Sequence, residues 1–142
     1  MSIWSFKINR DPYGRLIKHK ACMYAYGVMQ KWGVNYWETY SPVFNWISVR
    51  YMLTLIIIIE LHIKSVDFFL AYTQADVKTE IFMEFPIYFG VEGDHPREWV
   101  IIPYKNLYVL KDAGLAWFVK LKESLEARDF FQSQVNPCIW YN

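Results

Sequence analysis

The alternation of apolar and polar positions predicts a β-hairpin at the start of the chain. The stretch "IWSFKI" alternates as a half-buried strand does, and "RDPYGR" follows it. In this second stretch Asp11, Pro12 and Gly14 occupy the positions at which a type I turn favours Asp, Pro and Gly. The next stretch, "RLIKHKACMYAY", is then interpreted as the returning strand.

Two longer stretches favour helices. "NWISVRYMLTLIIIIELHI" is long enough for a buried helix capped by Asn45, although its four consecutive isoleucines also favour a strand. "KDAGLAWFVKLKESLEARDF" is the clearest helix, because Trp117, Leu121 and Leu125 recur every four residues while charged residues occupy the opposite face.

Shorter apolar runs between and after these helices predict further strands. We expect a buried strand over "IKSVDFFLAY", a second over "TEIFMEF", a third over "WVIIPY", and an extended segment over "NPCIWYN". The polar stretch "GVEGDHPRE" is interpreted as a surface turn. Helices and strands in this mixed order predict a single domain of the α+β class.

Composition excludes several classes of protein. Hydrophobic residues make up 54% of the 142 residues and charged residues 20%, so a packed core is expected rather than disorder. The net charge of +1 argues against a protein that binds nucleic acid by its own basic excess. Cys22 and Cys138 are too far apart for a zinc motif and too few for a disulfide framework. The most apolar window, about 13 residues long, is shorter than the ~20 residues of a membrane span, so we expect no membrane partner and a soluble, intracellular protein.

One acid stands out because it interrupts an apolar run. Asp67 follows Val66 and precedes two phenylalanines, and an unpaired buried carboxylate is energetically costly. Taken by itself, this residue is most simply a turn cap, or the partner of Lys64 or Lys78.

Six motifs occur along the chain in one order and with characteristic spacings. They are "WSFKINRDPYGRLIKHKA", "GVMQKWGVNYWETYSPV", "SVRYMLTL", "VDFFLAYTQADVKTEIFMEFP", "KNLYVLKDAGLAWFVKL" and "FQSQVNPCIWY". Together they resemble the reverse transcriptase of copia-type long-terminal-repeat retrotransposons, an RNA-directed DNA polymerase. The resemblance covers nearly the whole chain and implies an N-terminal part of that domain.

The resemblance implies an architecture and a set of partners. Residues 1–60 would form part of the fingers and residues 61–142 part of the palm of a right-hand polymerase. The implied partners are an RNA or DNA template-primer, a deoxynucleoside triphosphate and the remainder of the Pol polyprotein, including its thumb and RNase H regions. The implied location is the cytoplasm, within a virus-like particle.

The resemblance also implies a site. Asp67 would be the first catalytic carboxylate, at the end of a buried palm strand, and would bind Mg²⁺ together with the backbone carbonyl of Phe68. Tyr72 would lie beneath the incoming sugar and exclude a 2′-hydroxyl. Lys20, in the fingers hairpin, would meet the triphosphate as a point charge.

Several departures from the family pattern bear on activity. Cys22 and Tyr26 replace basic residues of the fingers, Val109 replaces a glycine, and Asp112 replaces a glutamine. The Val109 substitution is expected to matter if the backbone there requires an unusual φ angle or a close approach. The negative charge of Asp112 is expected to repel the nucleotide.

The family's second and third carboxylates belong to a Y-x-D-D hairpin, and these 142 residues contain no Asp-Asp pair. We therefore expect the 142-residue chain to be inactive as a polymerase by itself. The alternative is a non-catalytic remnant of a decayed retroelement that at most binds nucleic acid or another protein.

Overall fold

The computed structural model describes residues 2–86, 89 and 99–142, which form three α-helices, a short 3-10 helix (Gly27–Met29) and three two-stranded antiparallel sheets. In chain order the elements are β1 (Ser2–Arg10), β2 (Leu16–Ala25), α1 (Trp46–Ile58), α2 (Ala71–Gln74), β3 (Met83–Glu84), β4 (Val100–Ile101), α3 (Ala113–Glu126), β5 (Phe131–Gln132) and β6 (Trp140–Tyr141). The sheets pair β1 with β2, β3 with β4, and β5 with β6. The predicted mixture of helices with antiparallel strands is confirmed at this level.

The predicted N-terminal hairpin is confirmed. Strands β1 and β2 pair along their length, with Ser2 opposite Ala25. In the turn, the Asp11 carboxylate accepts hydrogen bonds from the backbone N–H of Tyr13 at 2.9 Å and of Arg15 at 2.8 Å. Gly14 adopts a φ of +80°, which glycine tolerates without the steric penalty of other residues. The local turn chemistry was therefore sufficient to locate this element.

Helix α1 forms where it was predicted, but it is not buried. The Asn45 side chain caps it by accepting a hydrogen bond from the backbone N–H of Ile47 at 2.9 Å. No residue of the helix is buried. Its apolar residues surround the helix instead of forming one stripe, so packing on any single neighbour leaves most of them exposed.

The predicted buried strand over residues 63–72 is wrong. Residues 61–68 have no regular secondary structure and are exposed, and the end of the segment turns into the short helix α2. Leu70, at the start of α2, adopts a left-handed conformation with φ of 51°. A buried strand needs a hydrogen-bonding neighbour on its edge, and none of the three strand pairs in the described residues includes this segment.

The remaining predictions hold in shorter form. The two apolar runs "TEIFMEF" and "WVIIPY" contribute only Met83–Glu84 and Val100–Ile101, which pair as β3 and β4. The predicted turn over residues 90–98 lies outside the described residues. Helix α3 is confirmed, and the extended segment near residue 140 pairs as β6 with β5.

A small core lies where the end of β2, strand β3 and the start of α3 meet. Its buried members are Ala25, Ile81, Met83, Leu110 and Ala113, and half-buried residues, including Tyr72 and Leu107, pack around them. Within the part of the chain that the structure describes, every helix is too short or too polar to cross a membrane.

Asn106 is completely buried beside this core and connects it to the segment after α2. Its backbone N–H donates to the carbonyl of Ala75 at 2.9 Å, and its side-chain amide donates to the carbonyl of Asp76 at 2.8 Å. The residues that follow Tyr72 are therefore held against the loop that precedes α3.

Candidate functional site

Asp67 lies in the irregular, exposed segment before α2. Among the described residues its carboxylate forms no ion pair with Lys64, Lys78 or any other cation. The burial predicted for Asp67 is therefore wrong, for the reason given above for its segment. Its pairing with a nearby lysine is not observed either, so the carboxylate faces solvent.

Phe68 connects this exposed segment to α3. Its ring meets the ring of Trp117 edge to face, with centroids 5.1 Å apart and planes at 65°. Such aromatic pairs contribute about 0.5–1.5 kcal/mol beyond the area they bury. The residue next to Asp67 is thus fixed on the helix while the Asp67 carboxylate stays accessible.

Tyr72 is half-buried on α2 and packs against the core. Its ring meets that of Tyr108 at 5.2 Å and 79°, and Tyr108 in turn meets Tyr24 of β2 at 5.9 Å and 68°. The three rings form a row, which we call the tyrosine row, from the hairpin to α2. Tyr72 therefore has the core-packing role that an aromatic residue ordinarily has, in addition to any role toward a nucleotide.

Lys20 is exposed on β2, directly opposite Lys7 on β1. Like charges at opposed positions of two strands destabilise the pairing, and a bound anion would relieve this repulsion. Lys20 and Tyr24 lie four residues apart on one strand, so their side chains project from the same face and their α-carbons are about 13 Å apart. Lys20 therefore lies on the same face of β2 as Tyr24, which is the member of the tyrosine row that the hairpin contributes.

The loop before α3 interlocks with the segment after β2. Val109 adopts a φ of 75°, and its carbonyl lies so close to Gly27 that a β-carbon there would overlap it. The Gln30 side-chain oxygen accepts a hydrogen bond from the backbone N–H of Lys111 at 2.8 Å. Both contacts join two motifs that are about 80 residues apart in the sequence.

Two further contacts hold the same loop. The Lys111 ammonium lies 4.8 Å from the ring centre of Tyr36 and 3.3 Å from its hydroxyl. The backbone N–H of Ala25 donates to the carbonyl of Tyr108 at 3.3 Å. Residue type alone assigns no role to Gln30, Tyr36, Tyr108 or Lys111. The signal that could have found them was their position inside the motifs.

The family profile described as "Reverse transcriptase (RNA-dependent DNA polymerase)" matches residues 2–142. The chain belongs to the reverse transcriptase family. The resemblance to copia-type retrotransposon enzymes is thereby confirmed.

Three curated relatives of this reverse transcriptase segment are Pol polyproteins of plant transposons. It is 30% identical over 97% of its length to the retrovirus-related Pol polyprotein from transposon TNT 1-94 of Nicotiana tabacum. It is also similar to the Pol polyproteins from transposons RE2 (34% identical) and RE1 (32% identical) of Arabidopsis thaliana, each over 92% of the chain. The aligned region spans 9–10% of these relatives' own length. No solved structure matches the chain.

Two acids of the reverse transcriptase segment lie in contrasting surroundings. The Asp76 carboxylate accepts a hydrogen bond from the Lys105 ammonium, and this bond and the positive charge of Lys105 lower the pKa of Asp76. Asp112 occupies the N-cap position of α3, but its side chain forms no capping hydrogen bond. Its Oδ1 is buried and lacks a hydrogen-bond partner among the described residues. The Asp76–Lys105 pair thus helps to hold the segment after Tyr72 in place. The buried Oδ1 of Asp112, in contrast, has no hydrogen bond within the described residues to offset the cost of its burial.

The described part of this reverse transcriptase segment does not by itself form a metal site. No three His, Cys, Asp or Glu side chains cluster there in a way that could hold an ion. Mg²⁺ prefers octahedral coordination by oxygen atoms, and Asp67 supplies one carboxylate beside the carbonyl of Phe68. A bound Mg²⁺ would therefore need further ligands from outside these residues.

Proposed function

We propose that the chain supplies part of the fingers and palm of an RNA-directed DNA polymerase, with a boundary near residue 60, inside a retrotransposon Pol polyprotein. One observation carries the proposal: the family match covers residues 2–142, and residues of two distant segments, Tyr24 and Tyr72, both contact Tyr108 in a third. Convergence of distant motifs is expected when each contributes to one site.

The proposed roles follow the family pattern at matching positions. Asp67 serves as a catalytic carboxylate and, with the backbone carbonyl of Phe68, as a ligand of Mg²⁺. Groups other than the residues described above complete that coordination. The solvent exposure of Asp67 and the fixed position of Phe68 on Trp117 are compatible with this role.

The nucleotide would lie along the side of the hairpin that carries Lys20 and the tyrosine row. The repulsion between Lys20 and Lys7 favours an anion at this position, which suits a triphosphate. Tyr72 lies at the other end, where its ring excludes a ribose 2′-hydroxyl. The partners are then a template-primer, a deoxynucleoside triphosphate and the remaining Pol polyprotein, acting in the cytoplasm within a virus-like particle.

The test is primer extension with a polymerase that carries this segment. Residues 2–142 would replace the aligned segment of the transposon TNT 1-94 Pol polyprotein, and incorporation of deoxynucleotides on an RNA template would be measured. Asp67→Asn is expected to reduce incorporation at least 100-fold, on the order of the effect of removing one preorganised charge-stabilising group. The matched control Asp129→Asn, at another exposed acid, should leave the rate unchanged. Equal rates for the two variants would refute the role of Asp67.

The 142-residue chain by itself is expected to give no incorporation, because its sequence holds no Asp-Asp pair to accompany Asp67. Mg²⁺-dependent extension by this chain that Asp67→Ala abolishes would contradict that expectation. The non-catalytic alternative makes a different prediction: the polymerase carrying this segment would also be inactive, although it folds.

A further inference from the structure

We propose that Tyr108 is a positioning residue that sets the orientation of the Tyr72 ring, and through it the discrimination between deoxyribose and ribose. The inference rests on the proposed role of Tyr72. Its basis is the tyrosine row, in which Tyr108 contacts Tyr72 on one side and Tyr24 on the other. Both contacts are edge to face, so the ring plane of Tyr108 determines where each neighbour can lie.

Tyr108 is suited to this task because its backbone is held on several sides. Its carbonyl accepts a hydrogen bond from Ala25 at 3.3 Å, and the next residue, Val109, is pressed against Gly27. Two residues further on, the backbone N–H of Lys111 is bound by Gln30. These contacts restrain the backbone of Tyr108, so its ring is a fixed surface against which the Tyr72 ring packs.

Tyr72 needs such a fixed contact because its own helix, α2, has little stability by itself. Helix α2 has only four residues and begins after Leu70, whose left-handed φ of 51° is unfavourable for a side chain of this size. Helices of this length are not stable by themselves, so the orientation of the Tyr72 ring depends on tertiary contacts. Within the described residues, Tyr108 supplies the one ring-to-ring contact that Tyr72 makes.

Steric exclusion of a single hydroxyl requires the Tyr72 ring to be held within a narrow range of orientations. A displacement of about 1 Å at a reacting centre can change a rate by on the order of 100-fold. Loss of the Tyr108 ring would leave room for Tyr72 to move away from the sugar. Ribonucleotides would then be accepted more readily, while deoxynucleotides, which lack the hydroxyl, would be affected less.

The first experiment uses the 142-residue chain with 3-fluorotyrosine placed at position 72. The solvent-isotope shift of its ¹⁹F resonance reports exposure of the ring. Tyr108→Ala is expected to increase this shift and Tyr108→Phe to restore it, because the contact uses the ring and not the hydroxyl.

Phe131→Ala, which removes a similar ring contact with Tyr141 from the separate β5–β6 pair, should have no effect. Tyr108→Leu keeps apolar volume without the ring, so it tests the same point if the alanine variant unfolds. An unchanged Tyr72 signal in every folded Tyr108 variant would overturn the inference.

The second experiment measures discrimination in the polymerase that carries this segment, as the ratio of kcat/KM for deoxynucleotides to that for ribonucleotides. Tyr108→Ala should lower this ratio about 10-fold or more, and Tyr108→Phe should return it to the starting value. A purely structural loss would lower both kcat/KM values together and leave the ratio unchanged, which would overturn the inference. Tyr72→Val separates the two proposals. If it leaves the ratio unchanged, the proposed role of Tyr72 fails; if only Tyr72→Val lowers the ratio, the role of Tyr108 fails.

Discussion

The carbonyl group of Val109 lies directly over the α-carbon of Gly27, in a space that no side chain could share. Gly27 belongs to the motif that follows the hairpin, and Val109 to the loop before α3. Glycine at position 27 is thus required by a close backbone approach rather than by its own φ angle. This contact joins the two halves of the chain at the core.

We predict that Gly27→Ala destabilises the chain by about 3 kcal/mol, because the new methyl group forces backbone apart in a packed region. Chemical denaturation monitored by circular dichroism would measure the change. Gly114→Ala is the matched control. It lies in α3, its β-carbon would meet the Ser41 hydroxyl oxygen at an ordinary 3.4 Å, and its gain in helix propensity should stabilise the chain by about 0.5–1 kcal/mol. Equal effects of the two substitutions would contradict the predicted overlap.

Val109→Gly should stabilise the chain, which reverses the usual effect of introducing glycine. A β-branched residue at a φ of 75° is strained, and a left-handed conformation costs roughly 1–2 kcal/mol. Glycine also loses more conformational entropy on folding, which offsets part of this relief. A net gain of about 1 kcal/mol in the free energy of unfolding is therefore expected. Thermal unfolding would detect it. Val100→Gly, in an extended strand, should instead lose about 0.5–1 kcal/mol.

Asn106→Ala is expected to lower the free energy of unfolding by about 2–3 kcal/mol. The side chain is fully buried and donates to the carbonyl of Asp76, which would lose this hydrogen-bond partner. Asn106→Asp has a similar shape but should destabilise more, because a carboxylate cannot donate and its charge would be buried. Urea denaturation would rank the variants, with the exposed Asn142→Ala as the neutral reference. A neutral Asn106→Ala would show that the buried amide does not support the loop.

The pKa of Asp76 is expected to lie below its ordinary value of 3.8, since Lys105 donates a hydrogen bond to the carboxylate and stabilises its charged form. Because the pKa is lower in the folded chain than in the unfolded chain, the ion pair makes the free energy of unfolding depend on pH. The stabilising effect is complete above the pKa of the unfolded chain and is lost as the pH falls through the lower pKa of the folded chain. An NMR titration of the carboxyl carbon would measure the pKa in the native chain and in Lys105→Met, where it should rise. Identical titration curves for the two proteins would exclude the ion pair in solution.

Features set by neighbours in the sequence were predictable. Asp11, Pro12 and Gly14 specify the hairpin turn, and the four-residue recurrence of Trp117, Leu121 and Leu125 specifies α3. Asn45 marked the start of α1 correctly. In each of these cases the deciding interaction spans only a few residues, so the pattern contains the information.

Features that depend on distant partners were not predictable from the pattern. The apolar run around Asp67 suggested burial, but a strand is buried only where another strand pairs with it and another layer covers it. The replacement of a glycine by Val109 indicated either an unusual φ angle or a close approach at this position, but not that Gly27 would be the partner in that approach.

The sequence by itself determined the family, the hairpin, the positions of the two long helices and the candidate residues Lys20, Asp67, Phe68 and Tyr72. Only the tertiary structure decided that Asp67 is exposed, that Phe68 packs on Trp117, and that Tyr108 lies between Tyr24 and Tyr72. The physical reason is range. Turns and helices are stabilised by contacts between residues close in sequence, whereas burial and ring packing depend on segments that folding brings together from far apart.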